Sequence, residues 1–377
     1  MFPSFVVGGA QVRFCAVANH HGRAFRHAII AMDGQVSCQD RLDAKLDVRV
    51  LNVPVAKNNP MATWRQLRAM LCELRPDVLL THNWGSIDWA LANAPPFVRQ
   101  RVFHVHVEDG FGPEERARQL RRRVWMRRLA LRRSIVALPS LTLVKIARDI
   151  WRLDPKQLRY LPNGVDLARF APITASSPRP WDLAGDGLVV GTVAALRPEK
   201  NLARLLRAVA LVPGLRLVII GDGPERSALA DLAGTLGIAG RVAFAGHLPD
   251  PAAAYPHMDM FALSSDTEQM PLSVLEAMAA GLPVAATAVG DVSTMLSTEN
   301  RSFVVPCDDV ALASVLDRFT ADADLRRVVG AANRSKVARD YDTAKMFSAW
   351  GKLLANGPQP AAHQGEHTGF AIDRSAR

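Results

Sequence analysis

Two glutamates, Glu268 and Glu276, lie eight residues apart in the stretch Ser265-Asp-Thr-Glu-Gln-Met-Pro-Leu-Ser-Val-Leu-Glu-Ala-Met-Ala-Ala-Gly-Leu-Pro-Val284. Pro271 suits the first position of a helix that runs to Ala280, with Gly281 closing it. The segment Gln269, Met270, Pro271, Leu272 then surrounds a helix N-terminus whose backbone N–H groups have no helical partner, a natural anion site. Glu276 falls about 7–8 Å along the axis at 1.5 Å per residue. That is about the separation of a diphosphate from a flanking ribose, whose two hydroxyls Glu276 would bond. Glu268, on the loop side, would hold a sugar hydroxyl. Two glutamates at this spacing are common by chance. The setting of strand, loop, Pro-started helix and further strand is what gives the pair meaning.

Cations are expected nearby. Arg197 and Lys200 follow an apolar run in Gly191-Thr-Val-Ala-Ala-Leu-Arg-Pro-Glu-Lys-Asn201. The carboxyl ends of strands are where open α/β sheets bind ligands. There the arginine fork and the lysine point charge would neutralise a diphosphate. Gly221-Asp-Gly223 lacks the third glycine of a dinucleotide loop, since Arg226 and Ser227 occupy that region, so Gly223 reads as a tight turn beside the site. No metal is expected, and Asp308-Asp309 falls after a late strand, away from these residues. The four cysteines, Cys15, Cys38, Cys72 and Cys307, have no metal spacing and read as buried or idle thiols in a reducing compartment.

These groups need a frame. Short apolar runs alternate with helical periodicity from Leu188 onward: Leu188–Val193, Leu215–Ile220, Arg241–Gly246, Met260–Ser264, Pro283–Thr287 and Ser302–Val305 as strands, with helices such as Leu202–Val212 and Ser227–Leu236 between. That rhythm implies an α/β domain with a parallel sheet covered on both faces. The first half is similar. His27–Met32, Val48–Leu51, Asp77–Thr81, Val102–His106 and Ile135–Leu138 read as strands, and Trp64–Leu74 and Ile87–Ala92 as helices. The expected organisation is an N-terminal domain over 1–171, a linker over 172–180, a C-terminal domain over 181–340, a terminal helix over 341–356 and a disordered tail over 357–377. Gly8 and Gly9 suit the turn after a first strand, yet almost nothing precedes them, so that strand is expected to be missing.

The 377 residues suit two domains, and the 49% hydrophobic content excludes a disordered chain. The net charge of +10 favours anionic partners. The N-terminus carries no secretory signal pattern.

Four segments together resemble the retaining glycosyltransferases of family 4: Gly8-Gly-Ala-Gln11; Leu161-Pro-Asn-Gly-Val-Asp166 with Phe170; Arg197-Pro-Glu-Lys200; and the stretch from Glu268 to Val284. The resemblance implies the GT-B fold, with two Rossmann-like doubly wound parallel-sheet domains facing a cleft. It implies that the paired glutamates embrace a nucleotide-sugar, UDP- or GDP-linked, as substrate and without a further cofactor. It places Lys200 on the diphosphate. The family's arginine five residues earlier is here Ala195, and Arg197 is the substitute. A histidine at a strand end of the first domain faces the donor sugar in this family; His106 holds that place, with His104 and His82 as further candidates. Catalysis is then metal-independent, with retention through an oxocarbenium-like state and stabilisation of the leaving diphosphate by Lys200, Arg197 and the helix end.

Residues 114–134 hold nine arginines among Leu120, Val124, Trp125, Leu129 and Leu131. Such a basic amphipathic helix suits an anionic membrane surface, a solvated domain rim or a clamp for an acidic acceptor. No motif accompanies the charge to suggest nucleic acid. The reading is a cytoplasmic transferase, peripheral on the inner face of the plasma membrane. It would pass a hexose to a glycan or glycolipid in cell-surface polysaccharide or lipopolysaccharide synthesis. The alternatives are a nucleotide-sugar epimerase on the same fold and a non-catalytic sugar-nucleotide or partner-binding module.

Overall fold

A computed structural model of the chain describes residues 1–51, 59–94, 101–111, 115, 119–170, 179–183 and 185–355. Residues 172–178 of the expected linker, the tail 357–377, and 114 and 116–118 of the basic segment lie outside them. The chain divides into two compact units, Met1–Pro162 with Ala344–Arg377, and Asn163–Thr343.

In the first unit, α1 (Gly9–His21) is followed by β1 (His27–Ile30), β2 (Val48–Leu51), α2 (Pro60–Leu74), β3 (Val78–His82), α3 (Ile87–Ala92), β4 (Phe103–Val107), α4 (Arg121–Leu131), β5 (Ile135–Leu138), α5 (Leu141–Asp149) and β6 (Leu158–Tyr160). β1 pairs with β2, and β3-β4-β5-β6 form a second sheet, with every pairing parallel. The helix starts follow local chemistry. Asn59 accepts from the Ala62 N–H ahead of Pro60, and Ser140 accepts from the Leu143 N–H to start α5. The helices α1 and α5 and the strand β6 were not among the expected elements. The basic helix is shorter than expected, beginning at Arg121. Met1 and Phe2 stand between β1 and β3, with Phe2 paired parallel to Ala31 and the Met1 nitrogen donating to the Leu80 carbonyl.

The second unit contains β7 (Val189–Val193), α6 (Leu202–Ala210), β8 (Arg216–Ile220), α7 (Arg226–Thr235), β9 (Val242–Gly246), β10 (Met260–Leu263), α8 (Leu272–Ala279), β11 (Val284–Thr287), α9 (Val292–Met295), β12 (Val304–Val305), α10 (Asp309–Ala321) and α11 (Ala323–Asp340). Its sheet order is β12-β11-β10-β7-β8-β9, all parallel. β8, β10 and β11 are buried along their whole length, which is why they read as unbroken apolar runs. One core layer joins Phe261, Tyr255, Val274, Leu275 and Met278; the other joins Leu205, Val209, Leu316 and Phe319. In α6 the buried Leu202, Leu205, Leu206 and Val209 fall on one helical stripe, each contributing about 1.5–3 kcal/mol of burial. The strand expected over 302–305 shrinks to β12, because Arg301–Phe303 form a 3-10 turn. Finally α12 (Thr343–Ala355) packs Met346 and Trp350 onto Val17 and Val105 of the first unit's core.

Candidate active site

The strand order of the second unit reverses between β10 and β7. Loops leaving the carboxyl ends of two such strands frame the crevice in which open α/β sheets bind ligands. Lys200 closes the 3-10 turn Pro198–Lys200 after β7, and Glu268 lies in the loop after β10. The two meet: Lys200 Nζ is 2.5 Å from Glu268 Oε1, and Ser265 Oγ donates to the same oxygen at 2.8 Å. These side chains, 68 residues apart in sequence, are therefore one charged pair at the switch point.

Several residues that sequence reading missed hold the pair in place. Arg204, buried on α6, donates to the Ser264 carbonyl (2.6 Å) and to Asp266 Oδ1 (2.8 Å). Asn201 also donates to Asp266, and the Asp266 N–H donates to the Glu199 carbonyl. The two loops are thereby stitched together. Gly290, at φ 51°, passes against the backbone of Glu268 so closely that a Cβ would overlap the Glu268 carbonyl oxygen. The Asp291 N–H donates to the Gln269 carbonyl at 3.0 Å, and Asn163 Nδ2 donates to the Met270 carbonyl at 2.8 Å. Asn163 belongs to the motif Leu161–Asp166, so its amide ties that motif's second half to the loop.

The helix α8 begins one residue later than expected, because Pro271 at ψ 123° is its cap rather than its first residue. Pro271 supplies no side-chain cap. Gly281, at φ 77°, follows the C-cap Ala280 in the left-handed conformation expected of a helix-ending glycine. Glu276 faces Tyr255, whose hydroxyl donates to Oε2 at 2.6 Å. Glu276 is half-buried. Burial therefore raises the carboxyl above its ordinary range, against the pull of the Tyr255 hydrogen bond.

Arg197 is exposed, and its side chain makes no hydrogen bond or ion pair among the described residues. Gly223 sits in the tight turn expected of it, where a Cβ would come within 2.5 Å of the Leu196 carbonyl oxygen. Asp308 caps α10 by accepting from the Ala311 N–H, and Asp309 pairs with Arg204 and Arg207. Among the described residues no group of three or more His, Cys, Asp or Glu side chains is placed to hold a metal ion.

In the first unit, Gly8 caps α1 and Gly9 opens it. His106 is fully buried on β4. Its Nδ1 shares Thr81 Oγ1 (2.8 Å) with His104 Nε2 (2.8 Å), and His104 Nδ1 meets Ser134 Oγ at 2.7 Å. The alternation of β4 thus places both histidines on one face. Burial holds His104 well below the usual imidazole range, so it is neutral. His106 Nε2 lies 3.6 Å from Glu108 Oε2, with no hydrogen-bond partner among the described residues. Glu108 in turn accepts from Arg127, which forks onto Glu115 at 3.0 and 2.9 Å and stacks on Trp84, Phe111 and Trp151. His82 has a different place. It stacks on Phe2 at 3.9 Å and is neutral through burial.

Two family models match the chain, Glycosyltransferase Family 4 over residues 7–169 and Glycosyl transferases group 1 over residues 175–336. The chain belongs to glycosyltransferase family 4. A D-inositol 3-phosphate glycosyltransferase of Stackebrandtia nassauensis is 29% identical over 311 residues, 74% of this chain and 68% of that protein. The lipopolysaccharide core biosynthesis glycosyltransferase LpsE of Rhizobium meliloti is 30% identical over 204 residues, 54% of this chain and 59% of that protein. The match with such relatives thus spans between about half and two thirds of their length. Among solved structures, Anabaena Alr3699/HepE in complex with UDP superimposes with a TM-score of 0.77 at 17% identity, covering 94% of this chain and 98% of that one. That likeness shows the GT-B fold.

Proposed function

We propose that this family 4 member is a retaining, metal-independent transferase that moves a hexose from a UDP- or GDP-sugar to a glycan or lipid-linked acceptor. The reading is carried by the Lys200–Glu268 pair at the switch point beside the N-terminus of α8, with Glu276 within the same helix. Glu276 would accept from the ribose hydroxyls, the α8 end with Gln269, Met270 and Leu272 would take the diphosphate, and Lys200 and Arg197 would meet the charge that develops as it leaves. Glu268 would then exchange Lys200 for a sugar hydroxyl. As the anomeric carbon–oxygen bond to phosphate breaks, the acceptor oxygen bonds to the same face of that carbon. Its proton then has the departing phosphate oxygen as its nearest base. In the first unit the family resemblance gives His106 the sugar-facing role, whereas its ring is fully buried between Thr81 and Glu108. That Alr3699/HepE was solved with UDP favours uridine. The LpsE relative favours an acceptor in lipopolysaccharide or another surface glycan, reached from the cytoplasmic face of the membrane.

The structure also refines the basic helix. On α4 the exposed residues Arg121, Arg122, Trp125, Arg128, Leu129 and Arg132 recur every three or four positions as one stripe, with Trp125 60% and Leu129 40% exposed. Arginines around an exposed tryptophan and leucine suit an anionic lipid surface. Arg123 does not belong to the stripe, since it packs on Trp84 and pairs with Glu115.

A thermal-shift screen of UDP-, GDP- and ADP-sugars, followed by donor turnover with and without glycan acceptors, tests the reading. Stabilisation by one nucleotide class and acceptor-dependent turnover are expected. Isomerisation of the sugar without acceptor would indicate an epimerase, and binding without turnover a non-catalytic module.

A further inference from the structure

One stripe of α8 is open. Val274, Leu275, Ala277, Met278 and Ala279 are buried, whereas Leu272, Ser273, Glu276 and the C-cap Ala280 are half-buried. At 3.6 residues per turn these four fall on one face. A ligand meets the Glu276 carboxylate from that side, and Tyr255 holds it from the other. The Tyr255 hydroxyl donates to Glu276 Oε2 at 2.6 Å, with the Ser273 carbonyl further off at 3.4 Å. Among the described residues no other group donates to Glu276, and its Oε1 makes no hydrogen bond.

Tyr255 itself has little freedom. It is fully buried, edge-on to Phe170 with ring centroids 5.4 Å apart, and stacked on Phe261 at 6.0 Å. It belongs to the 3-10 turn Pro251–His257, which Asp250 caps by accepting from the Ala252 N–H at 3.0 Å. The same Asp250 oxygen accepts from Arg169 at 2.6 Å, and Arg169 shares the 3-10 turn Leu167–Phe170 with Phe170. Two turns thus hold one phenol against one carboxylate. Burial, and then the neighbouring carboxylate, keep the phenol well above its usual range, so it remains a donor. A glutamate side chain otherwise turns about several bonds, and a ligand that uses it must order it. Tyr255 supplies that order beforehand.

We propose that Tyr255 is a positioning residue that sets the preference of this site for a ribonucleotide over its deoxy counterpart. The inference rests on the reading of Glu276 as the ribose acceptor. An ionised carboxylate has about four acceptor sites on its two oxygens. The Tyr255 bond occupies one of them on Oε2 and fixes the orientation of the group, which leaves Oε1 aimed at the open face. A ribose hydroxyl there donates to a charged acceptor already in place. A deoxyribose lacks that donor and leaves the acceptor unsatisfied, which is costly. Without the phenol the carboxylate can turn, and the hydroxyl meets a poorly placed partner. What falls is then the difference between ribose and deoxyribose, while contacts to the diphosphate persist.

Calorimetric titration of the full chain with UDP and GDP, each beside its 2′-deoxy and 3′-deoxy counterparts, tests this. The parent should prefer the ribonucleotide at one hydroxyl by at least about tenfold, the effect of a hydrogen bond to a charged acceptor. Tyr255→Phe keeps the ring between Phe170 and Phe261 and removes only the hydroxyl. It should cut that preference by at least about threefold. In the Glu276→Ala background the same substitution should leave the remaining preference unaltered, because the group it orients is gone. A preference as large in Tyr255→Phe as in the parent, but lost in Glu276→Ala, would overturn the inference and leave Glu276 as the ribose ligand. Equal weakening of ribo- and deoxynucleotides by Tyr255→Phe would also overturn it, since that is the effect of a tyrosine that only supports the fold. A parent with no ribose preference would overturn the reading of Glu276 and this inference with it.

Discussion

Glu276 is a carboxylate whose environment favours its proton, because burial outweighs the Tyr255 hydrogen bond. A folded-state pKa above the unfolded value stabilises the fold fully below the unfolded pKa. That stability is lost as pH rises through the raised value. Glu276→Gln keeps the neutral form throughout. Its melting temperature should therefore exceed that of the parent by a margin that widens as pH rises from the ordinary carboxylate range through the raised value. Two ribose hydroxyls donating to the ionised form would reverse the preference, so nucleotide affinity should strengthen over the same interval. At Lys200 the expectation concerns rate. Lys200→Ala should lower kcat by about 10²–10³, the usual cost of removing a group that meets developing charge. A change confined to KM, read from steady-state kinetics, would confine Lys200 to binding.

The loops and strands that carry these groups set the next scale. Gly290 lies against the Glu268 backbone in the left-handed region. Gly290→Ala should therefore lower stability by about 1–3 kcal/mol and reduce turnover by displacing Glu268; an unaltered melting temperature and kcat would contradict this. In the first unit Arg127 joins Glu108 and Glu115 inside a ring of aromatic side chains. Arg127→Ala leaves two buried carboxylates without their cation and should cost about 3–5 kcal/mol by denaturant unfolding. Sequence alone carried most strands and the glutamate pair, because strands buried on both faces are continuous apolar runs and α8 is bounded by Pro271 and Gly281. It did not carry β6, whose three residues, Leu158-Arg-Tyr160, are mostly polar or exposed. Tyr255 was equally illegible, since it reaches Glu276 from a 3-10 turn 21 residues away. Arg204 carried no signal in the sequence, since nothing local marks a helix arginine as the buried clamp of the site loops. The start of α8 was misplaced by one residue because proline suits both the cap and the first helical position.

At the scale of the molecule, the family match spans both units, and the net charge of +10 has a definite outlet in the exposed stripe of α4. Among the described residues no helix is long and apolar enough to cross a membrane, so any lipid contact through α4 would be along a surface. Flotation with anionic vesicles at low salt should carry the parent chain, and Arg122→Ala with Trp125→Ser should abolish it. Retention of the double variant would remove the membrane from the list of partners. The central claim is that the second unit grips a nucleotide through Glu276. Calorimetric titration of the full chain with UDP tests it most directly. The parent should bind, and Glu276→Ala should bind about 10–100-fold more weakly, the loss of hydrogen bonds to a charged acceptor. An unchanged affinity in the variant would contradict the claim.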